Sequence, residues 1–324
     1  MIAGFDNSEL VRIFNCSFIN NRCLVIYSFH VNYTIIINSS FIRNQIQQVA
    51  WIEHGKYAII MNSIIRQNLG NEIIFRLLNN VINIKNQYSK NRCFGLGIIH
   101  CRLCMYIRII MCAFISNYVE GEAGVMQTSM VNKFVTIYSF IDLNYGHMAS
   151  GAFDFYPAIK LIVIFTVFKR NKGRDGGGIK ARHSGEIIII HSQFIRNIAE
   201  DRGGAVMISR LFEFVRSFNC TFVANSAQAA GSCFTFTQVP LISIVSCLVV
   251  KNKCKSLQAA ITSDGFINIR ILRCDFRQNE GGVLSFEKGR NITIQKCTFC
   301  HNIGKAVGAV QIKKCHLVLE ANIN

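Results

Sequence analysis

Acidic side chains are scarce in this chain, eighteen Asp and Glu among 324 residues, so the places where they gather decide what chemistry it could do. Asp175, Glu200 and Asp201, with Arg174 and Arg202 beside them, fall in equivalent loops of neighbouring repeats, and Glu120, Glu122 and Glu280 fall in further loops of the same kind. Carboxylates stacked on one edge are what acid–base work on a sugar polymer requires. Charges of alternating sign in a solvent loop also serve solubility, so Arg174, Asp175, Glu200, Asp201 and Arg202 are read as a candidate ligand-binding loop edge with no catalytic residue assigned. Asp175, Glu200 and Asp201 are expected to be exposed and dispensable for folding. A second group is the CxxC of Cys101 and Cys104, with Cys93, Cys112 and His100 nearby. Zinc needs four ligands converging tetrahedrally; Cys112 is claimed by an inward column and no second CxxC follows, so no metal or other cofactor is assigned. The glycines recur with the repeat and no GK[ST] follows them, which removes a phosphate loop.

The elements that position these residues follow from one unit. Residues 191–207 read HSQFIRNIAEDRGGAVM, and variants return about every 23 to 28 residues. An apolar slot recurs at Phe18, Phe41, Ile65, Tyr88, Phe114, Ile141, Phe168, Phe194, Phe222, Val249, Phe276 and Phe299, each followed three residues later by Asn, from Asn21 to Asn302. Two residues before each slot stands a small or polar residue, such as Cys16, Ser39, Ser192 or Cys220. Four before it the residue is apolar except at Gln295. Strand side chains alternate with period two, so positions minus four, minus two and zero are expected to share the core face and minus three the solvated face. The twelve Asn residues are expected to bond to the backbone and to one another at tight corners, with Asn suited to αL. Later repeats add glycines such as Gly176-Gly177-Gly178 and Gly203-Gly204 where the next strand begins, supplying φ > 0 or close approach. A helix would put slot and minus-two residues on different faces and would not tolerate those glycines.

Three extended pieces per repeat describe an all-β solenoid, a single-stranded parallel β-helix of about twelve to thirteen rungs, read as one domain over residues 1–324. Leu319 and Asn322 are expected to be the slot and Asn of a partial thirteenth rung. Opening and closing inside a repeat suggests a fragment of a longer solenoid, which would associate end to end. The net charge of +17 permits anionic partners, but the basic residues are scattered and form no aromatic-basic RNA motif, so no specific nucleic-acid partner is assigned. No run of eighteen apolar residues gives a membrane span, and the first ten residues lack the basic and apolar regions of a secretory signal. Six of the fourteen cysteines fall in the minus-two column, where Ser also serves, so they read as small core residues rather than a disulfide scaffold. Sequons occur at Asn15, Asn32, Asn38, Asn219 and Asn291.

The pairs FIRN with GGAV (Phe194, Val206), FVAN with GSC (Phe222, Cys233) and FRQN with GGVL (Phe276, Leu284) resemble the FxxN and GGA[ILV] repeats of polymorphic outer-membrane proteins and related right-handed β-helix proteins. The resemblance spans nearly the whole chain. It implies a right-handed coil and an extracellular or cell-surface, adhesin-like solenoid that binds glycans or proteins on a lateral face without catalysis. The same fold class contains polysaccharide lyases and hydrolases, so a carbohydrate-active enzyme using the acidic edge is the alternative, and a structural fragment of a larger membrane-anchored protein is a third reading.

Overall fold

The computed structural model describes residues 2–45, 48–70, 72–256, 258–304, 308–315 and 319–323. Every named element among them is a β-strand, and every pairing between named strands is parallel. No helix among them is long and apolar enough to cross a membrane.

One turn explains the rest. Ile179–Arg182, Glu186–Ile190, Gln193–Ile195 and Ile198–Ala199 follow one another around the coil. The next turn lies in register above, pairing Ile179 with Val206, Ile187 with Val215, Phe194 with Phe222 and Ile198 with Ser226. The chain is a parallel β-helix of about twelve turns, with a two-residue fourth strand added to the three expected. All twelve slot residues pair in one unbroken column. Inside the coil their rings stack: Phe168 on Phe194 at 4.7 Å and Phe194 on Phe222 at 5.0 Å, offering aromatic contact beyond simple burial.

The corners correct the expected face assignment. Each minus-three residue is not an outward strand position but a left-handed corner, as at Asn38 (φ 51°), His191 (φ 48°) and Asn219 (φ 50°). Such a residue breaks the period-two alternation. The inward column before the corner is therefore minus five (Ile36, Ile109, Ile189, Ile244, all fully buried), while minus four faces out, with Phe14 46% and Phe218 40% exposed. A non-glycine αL residue costs roughly 1–2 kcal/mol, and the minus-two side chain braces it. Ser192 Oγ donates to Ile190 O at 2.9 Å and accepts from Thr166 N at 3.2 Å; the thiols of Cys220, Cys247 and Cys274 donate to the carbonyl two residues back in the same way. This is why Ser and Cys interchange there.

The Asn column is a buried ladder. From Asn21 to Asn302 each backbone N–H and Nδ2 donates to Oδ1 of the next Asn, without a missing link; at Asn197 these bonds to Asn225 are 2.9 and 3.0 Å. Nδ2 of Asn197 also donates to Phe168 O at 2.9 Å. The αL residue at this corner is not the Asn but its predecessor, as at Arg43 and Arg196, because the inward amide already fixes the ladder residue. Glycine serves both expected purposes: Gly176 and Gly203 have φ of 63° and 69°, and a Cβ on Gly177 would lie 2.2 Å from Gly204 O. At the C-terminal side, Leu319 pairs with Ile292 and Asn322 with Gln295. They therefore continue the strand before the corner and are not the slot and Asn of a thirteenth rung.

Candidate functional site: a polar groove on one lateral face

The strands equivalent to Ile179–Arg182 point alternate residues outward. Register aligns Asp154, Lys180, Met207, Thr235, Thr262 and Ser285 in one outer column, and Arg182, Ser209, Thr237, Asp264 and Glu287 in the next. The glycine-bearing loop before each strand folds back over this face, so polar residues that would be solvated on a bare sheet line a groove. One stretch of it, about 420 Å³, is walled by Tyr156, Asp175, Lys180, Arg182, His183, Arg202 and Arg210 among others. A second stretch of about 260 Å³ continues along Arg202, Thr237, Thr262, Asp264, Ser285 and Glu287.

Most of the charge in the first stretch is paired, and the pairs are anchored on buried acids. Lys180 Nζ lies 3.0 Å from Asp175 Oδ2, both buried. Arg182 Nη2 donates to Asp154 Oδ2 at 2.9 Å, and its guanidinium lies 5.1 Å from the Tyr156 ring. Burial pushes the Asp154 carboxyl up to about 6; Arg182 and Lys180 pull it down, and the neighbouring Glu122 carboxyl adds to the rise. Asp154 Oδ1, Asp175 Oδ1 and the Nε atoms of Arg182 and Arg202 have no hydrogen-bond partner among the described atoms. Arg210 Nη1 stands 3.4 Å from His183 Nε2. Four cations, Lys180, Arg182, Arg202 and Arg210, line this stretch against the three acids Asp154, Asp175 and Asp201 that pair with them, and the excess, at Arg210, favours an anionic ligand.

The loop edge read from the sequence is split by the fold. Asp175 is not an exposed loop charge: it turns onto the sheet face and is buried against Lys180. Arg202 joins it, with Nε 3.6 Å from Asp175 Oδ1 and 3.5 Å from Asp201 Oδ2. Glu200 points elsewhere, to Lys172 Nζ at 2.8 Å, and Arg174 is exposed, its carbonyl accepting from Asp201 N at 2.7 Å. The backbone here continues the register that pairs Ala199 with Gly173, so it is side-chain direction, not stacking, that separates these residues. Asp154, Tyr156, Lys180, Arg182, His183 and Arg210 were not singled out as a site. The available signal was a charged residue alone between apolar strand neighbours, as in Phe153-Asp154-Phe155 and Ile179-Lys180-Ala181.

Of the cysteine group the fold brings the Cys101 and Cys104 thiols together, but the others do not join them. Cys101 faces inward, fully buried, and His100 is its strand neighbour on the opposite face; burial, reinforced by Arg102, lowers the His100 pKa to about 4. Cys93 donates to Gly97 O and Cys112 to Ile110 O. Among the described residues no three His, Cys, Asp or Glu side chains are placed to hold a metal ion. Among the described residues no disulfide is formed.

Fold and groove together define a parallel β-helix with a polar, cation-lined lateral face. No family model matches the chain, and no curated protein matches it. Among solved structures, a mannuronic acid specific polysaccharide family 6 lyase enzyme from human gut microbiota is similar over 95% of this chain and 77% of that one, at 10% identity and a TM-score of 0.31. A superposition so loose carries none of that enzyme's chemistry to this chain.

Proposed function

We propose that this β-helix binds an acidic glycan lengthwise along the groove, as a non-catalytic recognition protein. The observation that carries the reading is the run of Lys180, Arg182, Arg202 and Arg210 around Tyr156, continued over further rungs by Thr237, Thr262 and Ser285. Rungs repeat roughly every 4.8 Å, close to the advance of one sugar ring, so a polymer can present a carboxylate to one rung and hydroxyls to the next. Tyr156 offers a ring face for stacking. The FxxN and GGA[ILV] motifs support an adhesin-like surface role for such a groove. The test is titration of the chain with a soluble polyuronate and a neutral glucan. Binding to the polyuronate alone, weakened by salt and about tenfold (about 1.4 kcal/mol) by Arg210→Glu, is expected. Equal binding to the glucan, or indifference to the charge reversal, refutes it.

One observation favours a second reading, a carbohydrate-active enzyme: burial raises the Asp154 carboxyl to about 6, with Glu122 adding to the rise, and a raised carboxyl is what proton transfer uses. Against it, Asp154 is fully buried beneath Arg182. Release of shortened chains from the polyuronate, abolished by Asp154→Asn, would establish the enzyme; intact polymer after prolonged incubation supports binding alone.

A further inference from the structure

The groove does not end at Tyr156. Tyr156 and His183 also line a second hollow, of about 540 Å³, whose other walls include Met130, Ile159, Phe212 and Glu213. Its apolar side chains lie open to solvent to an unusual degree for their size: Phe212 is 70% exposed, Ile159 60% and Met130 55%. They come from successive turns of one corner, stacked by backbone bonds from Val131 N to Pro157 O, Gly185 N to Ala158 O and Phe212 N to Ser184 O, so the shelf is built by the coil itself. An exposed apolar patch beside a polar groove marks a contact surface, and a hollow of this size is in the range that takes an organic ligand.

Charge orients whatever lies there. At the groove end stand Arg182 and Arg210, with His183 between shelf and groove. At the far end the Glu213 carboxylate is exposed, close against Gly185. An anion is therefore attracted to one end and repelled from the other, and the surface between offers only apolar contact. We infer that this shelf is a subsite for an acyl or alkyl chain attached to an acidic glycan, the acidic sugars lying in the groove past Tyr156 and the chain lying over Ile159 and Phe212. The ligand class is an acidic glycolipid, and the inference rests on the glycan-binding reading above. It adds a specificity element: the sugar acid sets the register along the rungs, and the chain selects the end of the molecule that docks at Tyr156.

The experiment compares, by calorimetric titration of the whole chain, a short oligouronate, the same oligouronate carrying an octyl group at its reducing end, octyl glucoside and decanoate. Phe212→Ser and Ile159→Ser serve as variants, both at side chains too exposed to threaten folding. The octyl oligouronate is expected to bind at least tenfold tighter than the unmodified one, with a more negative heat-capacity change. Either substitution should remove that gain and leave the unmodified oligouronate unchanged. Equal affinity with and without the octyl group, or a gain that survives in both variants, overturns the shelf while leaving the glycan groove standing. Decanoate binding that Phe212→Ser abolishes, with no oligouronate binding in any form, overturns the glycan reading and with it the proposed ligand class. Octyl glucoside binding as tightly as the octyl oligouronate removes the role given to the cations.

Discussion

Replacing Asn197 with Ala tests the ladder on which the whole coil depends. Asn197 is fully buried, and its side chain makes four hydrogen bonds. Oδ1 accepts from Asn171 N at 3.1 Å and from Asn171 Nδ2 at 3.0 Å; Nδ2 donates to Phe168 O at 2.9 Å and to Asn225 Oδ1 at 3.0 Å. At about 1 kcal/mol net for each bond the loss is about 4 kcal/mol, and the stranded Asn171 N–H, itself buried, pushes the total toward the upper part of a range of roughly 3–6 kcal/mol. Asn197→Asp separates the two halves of the side chain. An aspartate keeps both accepted bonds, but its second oxygen faces two acceptors and can donate to one of them only when protonated. Its folded-state pKa must then lie above the unfolded value near 4, so the variant's stability is greatest below pH 4 and falls as pH rises through the folded pKa. Urea unfolding followed by far-ultraviolet circular dichroism gives the magnitude, and amide exchange at Asn171 locates it, since a solenoid opens locally. A loss under about 1 kcal/mol in Asn197→Ala, or an Asn197→Asp variant equally stable at pH 4 and pH 7, would refute the ladder as a stabilising device.

Phe194→Ala should cost about 3–5 kcal/mol through the cavity, with about 0.5–1.5 kcal/mol for each lost ring stack; a loss below 2 kcal/mol in the same urea assay contradicts the packed slot column. Asp175→Asn should destabilise by roughly 3–5 kcal/mol, because Lys180 would remain buried without its partner, whereas Glu200→Gln with Asp201→Asn should change stability by less than about 1 kcal/mol; equal effects would mean that Asp175 is as exposed as they are. Asp154, raised to about 6, makes stability fall as pH rises from about 4 past 6. His100, lowered to about 4, makes stability rise over much the same interval. The two slopes oppose in the wild type. Asp154→Asn should unmask a rise in stability between pH 4 and 6.5, and an unchanged pH profile would show that Asp154 is not the titrating group.

The slot and Asn columns were legible in the sequence because their spacing survives every change of repeat length. An aromatic column and an amide column must each be continuous, so the chain repeats them even where loops lengthen from 23 to 28 residues. The inward place of Cys220, Cys247 and Cys274 was legible for the same reason, through their exchange with Ser192 and Ser39. The face before the corner was not. Alternation read through the minus-three residue puts Ile190 inside, but the left-handed φ at His191 shifts the parity by one, and Ile189 is the residue that is buried. A side chain such as His, Tyr or Phe carries no mark of αL, which is imposed by stacking a corner on the corner below it.

The groove belongs to the same category. Sequence alone established a coil of parallel rungs, because periodicity is a one-dimensional property and a solenoid converts it directly into a column. What it placed wrongly was Asp175, read as loop surface from its place between Asn171 and the glycines of the repeat, and in fact buried. Only the three-dimensional path of that loop turns the carboxylate onto Lys180, sends Glu200 to Lys172, and lays Arg182 from one rung over Asp154 of the rung below. Contacts between rungs join residues some 26 to 28 positions apart through the direction in which side chains leave the backbone. That direction is set by the tertiary stacking of corners and loops, not by residue type.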